Sequence, residues 1–352
     1  MGKVISISKW DLESNTWQSI TNGKVNKKAL SIGIFKTILN NSSEDINYII
    51  FADSMRLENH TTYGSYISNS SGGVSNIIRY FKNKDENFEI LLFLVDNDAP
   101  LVEESKFMAA LVDGYTSMST TKTVNVIGTS KCGTMAFDMM KYLKNPLSKN
   151  KTYVYSISSP YLGTPMASPL YFAYTVRKAI EAKLGKNLFS DKVIKSVIAI
   201  YNQMLSNSHV DLDIGIADGI PDNLKDKYDP NFLRNIFSET NLISLANVKH
   251  YENICTVIND ETLRNGIKNG DLNTLGLCIL NDCIFGGNSD GMVSLKSQKK
   301  IEDYYDDEHS SSKLITSSHG VFYIPIYANE VLDIVYSNLN KEKELQRSLK
   351  RL

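Results

Sequence analysis

The chain is poor in the features that would assign it to several large functional classes. Cysteine is scarce, with four residues in 352, at positions 132, 255, 278 and 283. That is too few for a disulfide scaffold, and no pair has the C-x2-C spacing that marks zinc when histidines accompany it. Cys278 and Cys283 could pair only in an oxidising compartment, so thiols are the default. Net charge is almost absent, since 38 Lys+Arg stand against 39 Asp+Glu and leave −1. A nucleic-acid partner is therefore not expected, for want of a basic face. Long apolar runs are missing too. Stretches such as Ile90 to Val95 are strand-length, far below the ~20 residues of a membrane-spanning helix. The N-terminal MGKVISISKWDLESN is broken by charges where a secretory leader needs roughly 7 to 15 apolar residues, and a cytoplasmic location is the expectation. Met1-Gly2 with Ser6 fits the myristoylation pattern, but one so short arises often by chance, and a single acyl chain anchors weakly. What is present is the composition of a globular core, 42% hydrophobic and 22% charged.

Along the chain, short β-branched apolar runs alternate with longer segments readable as helices. INYIIFA (46–52), FEILLFLV (88–95), KTVNVIG (122–128) and KTYVYSIS (151–158) are continuous rather than alternating, as in strands of a parallel sheet buried on both faces. Between the last two, Met135, Met139, Met140 and Leu143 fall at helical spacings, which makes a β-α-β unit. Residues 165–250 change character, with PLYFAYTVRKAIEAKLG and KVIKSVIAIYNQML reading as helices of an insertion. Strand character returns at NICTVIN (253–259) and GMVSL (291–295). A final helix from about 325 carries Val331, Leu332, Val335 and Leu339 on one face.

Chemistry is concentrated in the turn after the strand at 124–127, Gly128-Thr129-Ser130-Lys131-Cys132-Gly133. A serine on a sharp strand-to-helix turn is pushed out over the carboxyl edge of the sheet, and small residues around it let strand and helix pack closely. The turn also aims the backbone N–H of Lys131 at the place where an oxyanion would form. Ser130 is thus a candidate nucleophile. A phosphate-binding loop shares the G-x4-G spacing, but Thr134 stands where its lysine must be. A Cys132 nucleophile would lie inside the first helical turn rather than at its apex. On the turn alone, an ordinary Gly/Ser connection is as good a reading.

A hydroxyl needs a base to take its proton and an acid to orient that base, and in this architecture they follow in the order serine, acid, histidine. Five histidines compete. His60 and His309 sit in polar stretches, His209 and His250 in or beside the insertion, and His319 lies in the small-residue loop Thr316-Ser317-Ser318-His319-Gly320. For the acid, Asp290 lies in a turn entering the strand-like 291–295, and Asp260 in Ile258-Asn259-Asp260 is the runner-up.

These residues resemble the lipase and esterase branch of the α/β-hydrolase superfamily. VNVIGTSKCGTMAFDMM is similar to its nucleophile strand, elbow and helix, and SISSPYLGTPMASP (156–169) to the strand and turn that follow. GGNSDGMVSLKSQ (286–298) is similar to its acid-bearing segment, and SSHGVFY (317–323) to its histidine loop. The resemblance implies an α/β-hydrolase fold: a mostly parallel central sheet with helices on both faces and a helical cap or lid insertion. The core is expected in two parts, 1–164 and 251–352, around a cap at 165–250. It implies Ser130 as nucleophile, Asp290 as acid and His319 as base, with oxyanion donors at Lys131 and at Ser54 or Met55.

Two departures stand out. The His-Gly usual after the first central strand is replaced by Phe51-Ala52-Asp53-Ser54-Met55. Val321 stands where calcium-binding lipases carry an aspartate, so no metal is expected, and Asp303, Asp306, Asp307 and Glu308 read as a solvated acidic loop. In the cap, Leu170, Tyr171, Phe172, Tyr174, Val197, Ile200, Tyr201, Met204 and Leu205 could line an acyl groove, although most are better read as the cap's own core. The implied activity is hydrolysis of a lipid or other small acyl ester through an acyl-enzyme, without a cofactor and with at most transient contact with a lipid surface. An acyltransferase or thioesterase on the same residues is the alternative, as is a non-catalytic binding protein of this fold.

Overall fold

The computed structural model describes residues 4–11, 16–19, 33–39, 45–53, 73–84, 86–94, 100–206, 214–215, 232–236, 244–269, 277–278, 280–282, 284–305, 309–323 and 325–349. Their centre is one nine-stranded sheet in the order β2-β1-β3-β5-β4-β6-β7-β8-β9. The six parallel strands are β4 (Ile46–Asp53), β5 (Phe88–Leu94), β6 (Thr121–Thr129), β7 (Thr152–Ile157), β8 (His250–Val257) and β9 (Ser310–Thr316). At the β5 edge β3 (Gly33–Leu39) joins antiparallel, followed by β1 (Val4–Asp11) and β2 (Thr16–Ser19).

The continuous apolar runs lie on the central strands, as the buried-on-both-faces reading requires. Every residue of β7 is buried, because helices cover both sides of the sheet. On one face α1 (Gly73–Lys82), between β4 and β5, packs Ile77, Ile78 and Phe81 beside Val331, Leu332 and Val335 of the final helix, here α8 (Pro325–Leu349). On the other, α2 (Leu101–Thr116), between β5 and β6, packs Met108 and Val112 beside Met135 and Phe137 of α3 (Lys131–Met139). The chain therefore winds outward from β4 to β5, crosses back, and continues from β6 to β9. The direction reverses between β4 and β6. In open parallel sheets a crevice opens at the carboxyl ends of the strands at such a point, because the flanking loops leave toward opposite faces.

Between β7 and β8 run α4 (Pro169–Leu184) and α5 (Leu188–Ser206). Met166, Phe172 and Val176 form a small separate core with Leu280, Ile284, Phe285 and Met292. Cys132, Cys255 and Cys278 are buried as thiols. No helix among the described residues is long and apolar enough to cross a membrane.

Residues 291–295 are not a strand. Asp290 Oδ1 accepts the backbone N–H groups of Met292 (2.9 Å) and Val293 (2.8 Å), curling the chain into a turn. Gly291 (φ +95°) then passes so close to Leu277 that a Cβ would lie 2.6 Å from its carbonyl oxygen. Ser294 caps the short α7 (Leu295–Lys299) by accepting from Ser297 N–H. The strand in this part of the chain is β9, SSSKLIT, whose polar residues suit the exposed sheet edge it occupies.

Candidate active site

Ser130 sits directly after β6, beside the switch in winding direction. Its backbone has φ 54° and ψ −126°, a conformation that costs a non-glycine residue about 1–3 kcal/mol. Two hydrogen bonds hold it there: Ser130 N–H to the Ile157 carbonyl (2.8 Å) and Gly133 N–H to the Ser130 carbonyl (3.0 Å). The small residues that permit the turn are Gly128 and Gly133. A Cβ on Gly128 would meet the Cys132 carbonyl oxygen at 2.2 Å, and one on Gly133 would meet Ser159 Oγ at 1.9 Å. Position 132, where glycine is the commoner residue, needs no such smallness, since Cys132, on α3 itself, is buried in the core that α3 shares with α2. The Lys131 N–H is the first of α3, at the positive end of the helix.

Beneath the turn lies a buried hydroxyl cluster. Ser156 Oγ is 2.6 Å from both Ser159 Oγ and Tyr161 Oη, and the Tyr161 hydroxyl bonds that of Tyr251. The serines that face Gly133 are therefore fixed.

The structure brings Asp290 and His319 together: His319 Nδ1 is 2.8 Å from Asp290 Oδ2. The His319 backbone N–H also donates to the Asp290 carbonyl (2.9 Å), so ring and loop are both tied to the same residue. Asp290 is fully buried. Besides the two N–H groups on Oδ1, its Oδ2 accepts from Thr256 Oγ1 at 2.9 Å, with Gln298 Nε2 at 3.4 Å. Thr256 Oγ1 is in turn 2.6 Å from Ser158 Oγ. Because the threonine proton is committed to the carboxylate, Ser158 is the donor to Thr256. Ser158 also adopts a positive φ, 56°, directly after β7. With Asp290 Oδ2 as the acceptor, the proton of the neutral His319 ring sits on Nδ1 and Nε2 carries the free lone pair. The imidazole itself is 17% exposed.

Asp260, the alternative acid, is exposed and opens α6 (Asp260–Asn269). Asp290, not Asp260, contacts His319. His250 lies at the start of β8, bonded to Glu252 (3.1 Å) and Ser311 (3.0 Å). Ser54 and Met55 lie outside the described residues, as do His60, His209, Asp306, Asp307 and Glu308. Among the groove candidates Phe172 is core, but Leu170, Tyr171 and Tyr174 are exposed, so the reading of most of them as the cap's own core fails at these three. The side chains of Val197, Ile200, Tyr201, Met204 and Leu205 lie outside the described set. Thr256, Gln298 and Ser158 were not legible as site residues. Each is an unremarkable polar residue until β7, β8 and α7 are placed side by side.

No protein-family model matches the sequence. No curated protein matches it either. Solved structures it is similar to include Est1E from Butyrivibrio proteoclasticus, at 9% identity over 88% of this chain and 96% of that one, with a TM-score of 0.43. Another is the Pyrococcus furiosus esterase Pf2001, at 12% identity over 97% and 90%, TM-score 0.43. A third is a lipase-esterase related protein from Clostridium acetobutylicum, at 13% identity over 86% and 98%, TM-score 0.40. With scores and identities this low, the assignment rests on the chain's own architecture. A mostly parallel sheet with helices on both faces and a strand-serine-helix turn at its carboxyl edge, followed in order by an acid and a histidine in contact, is that of the α/β-hydrolase fold, and this is the fold of the chain.

Proposed function

We propose that the protein is a serine ester hydrolase acting on a lipid or other small acyl ester. The observation that carries this reading is the buried Asp290–His319 pair, held at the same carboxyl edge of the sheet as the strained turn that presents Ser130. An aspartate that needed only to satisfy a turn would not also hold a half-buried imidazole by its ring and its backbone.

In this reading His319 Nε2 takes the Ser130 hydroxyl proton as Oγ attacks the ester carbonyl. The oxyanion is held by the Lys131 N–H and by a second N–H from the Ser54 or Met55 loop. Asp290 stabilises the imidazolium. Collapse expels the alcohol, which takes the proton from His319. Water then gives a proton to His319 and attacks the acyl carbon, releasing the acid and restoring Ser130. The helices α4 and α5 act as the cap, with Leu170, Tyr171 and Tyr174 as candidate contacts for an acyl chain.

A fluorophosphonate probe tests the proposal directly. Labelling of the native protein at Ser130, absent in Ser130→Ala and in heat-unfolded protein, is the expected result. A native protein that does not label is a binding protein of this fold and not a hydrolase.

A further inference from the structure

The helices α4 and α5 meet at a turn that is apolar at its tip and basic on its flanks. α4 ends at Leu184, and Gly185 (φ +72°) donates its N–H to the Glu181 carbonyl at 2.9 Å. Asn187 then closes the turn. Its Oδ1 accepts the N–H groups of Phe189 and Ser190, each at 3.0 Å, while its Nδ2 donates to the Leu184 carbonyl at 2.7 Å. Ser190 Oγ donates to the Asn187 carbonyl (2.8 Å) and accepts the Asn187 N–H (3.0 Å). With its polar groups satisfied this way, the turn dictates where Leu188 and Phe189 go. They point into solvent, 82% and 65% exposed, with Leu184 beside them at 44%. Phe172, Val176 and Ile194 of the same helices are buried, so the pair has an inner apolar face and a second apolar surface at the tip.

Charge singles out the same place. Residues 176–195 hold Arg177, Lys178, Lys183, Lys186, Lys192 and Lys195 against Glu181 and Asp191, six positive against two negative, a surplus of four in a chain whose net charge is −1. Lys186, at the tip itself, is 82% exposed and reaches Glu181 only at 3.7 Å.

We propose that this tip is an anchor for an anionic bilayer, with Leu184, Leu188 and Phe189 entering the headgroup-acyl boundary and the surrounding lysines meeting lipid phosphates. A small apolar tip ringed by cations on long flexible stems is the signature of interfacial binding. A protein groove would have to match the apolar tip and desolvate the lysines together. The proposal deepens the acyl-ester reading by naming the surface from which such a substrate would be drawn, and it does not depend on the catalytic assignment.

Full-length protein is sedimented with phosphatidylcholine vesicles and with vesicles containing about one third phosphatidylglycerol. The expected result is binding to the anionic vesicles, about tenfold weaker or more in Leu188→Ser/Phe189→Ser and in Lys186→Glu/Lys195→Glu, since each lysine near the surface contributes about fivefold. Phe189→Trp covers the case in which a double variant fails to fold: its added indole emission should shift to the blue with anionic vesicles. Absence of vesicle binding, binding indifferent to the tip substitutions, an unshifted indole, or tip-dependent dimerisation without vesicle binding would each overturn the proposal. Fluorophosphonate labelling is measured in parallel. If vesicle binding fails while labelling persists, only the anchor is lost, and if labelling fails while binding persists, only the hydrolase reading is lost.

Discussion

Replacing Thr256 by valine removes one hydroxyl from the shell of a buried carboxylate and changes almost nothing in shape. Asp290 Oδ2 would lose the 2.9 Å bond from Thr256 Oγ1 and keep His319, with Gln298 at a poor 3.4 Å. Hydrogen bonds to charged groups contribute about 1.5–3 kcal/mol. Ser158 Oγ, which donates to Thr256 at 2.6 Å inside the protein, also loses that acceptor. The expected loss of stability is therefore about 2–3 kcal/mol by urea unfolding, with an unchanged denaturant slope. The effect on catalysis follows from the same geometry. A carboxylate that pivots about its two Oδ1 contacts holds His319 less firmly, and a cost of about 1.4 kcal/mol in the transition state is tenfold in rate. Turnover of a soluble ester should fall about tenfold at unchanged KM, because Thr256 touches no substrate, and Thr256→Ser should restore most of both losses. If Thr256→Val matches wild type in urea and in turnover, the carboxylate does not depend on this shell and the reasoning is refuted.

Two further outcomes follow from buried groups away from the site. Burial raises the Glu252 carboxyl, but hydrogen bonds from His250 and Ser311 and the charges of His250 and Lys313 outweigh it, so its pKa lies below the ordinary value. Stability from a depressed carboxyl is present above its unfolded pKa, near 4.3, and is lost as pH falls through the folded one; the stability gap between wild type and Glu252→Gln should thus be widest near neutrality and close below about pH 4, and a gap that widens in acid would contradict this. Burial pushes the Cys255 thiol up to about 12, so a thiol reagent at about pH 8 should modify Cys255 only after unfolding, as peptide mapping can check.

The sheet's centre was legible because burial on both faces leaves a mark in sequence. β4, β5, β6 and β7 are continuous apolar runs, and their limits differ by a residue or two from those read directly. The edges were not legible, for the same physical reason. β9 is half-exposed and written SSSKLIT, and without β8 beside it nothing distinguishes it from a loop. The strands β1 to β3 extend the opposite edge, and only the short alternation of Ser6, Ile7 and Ser8 hints at the first of them. The segment 291–295 misled in the other direction. Met292, Val293 and Leu295 look like a strand, but Asp290 captures the N–H groups of Met292 and Val293, which a strand would need for its ladder. Of the residues proposed for the site, the Asp290–His319 contact was readable because each of the two sits in a short loop of small residues. The shell that supports Asp290 was not, since Thr256 and Ser158 come from β8 and the end of β7, far away in sequence, and Gln298 joins them only once α7 folds back.

Cys132 stands where glycine is the commoner residue, and with the missing His-Gly it motivates a non-catalytic reading, but the packing makes no demand for glycine at that position. Glycine is required where another chain segment passes, and those places are Gly128, against the backbone of residues 132 and 133, and Gly133, against Ser156 and Ser159. At position 132 the side chain turns into the core, where a thiol is one of the smaller apolar fillings. The two neighbouring positions should therefore respond in opposite ways. Cys132→Ala removes one buried sulfur and is expected to cost about 1 kcal/mol, leaving fluorophosphonate labelling of Ser130 intact. Gly133→Ala places a methyl 1.9 Å from Ser159 Oγ and 2.7 Å from Ser156 Oγ. Neither serine can swing aside without breaking the buried bonds to each other and to Tyr161. The turn must shift, and a shift of about 1 Å at a reacting group costs on the order of a hundredfold. Labelling should fall by about that factor, whereas equal labelling of the two variants would mean that the tight packing at Gly133 does not set the position of Ser130.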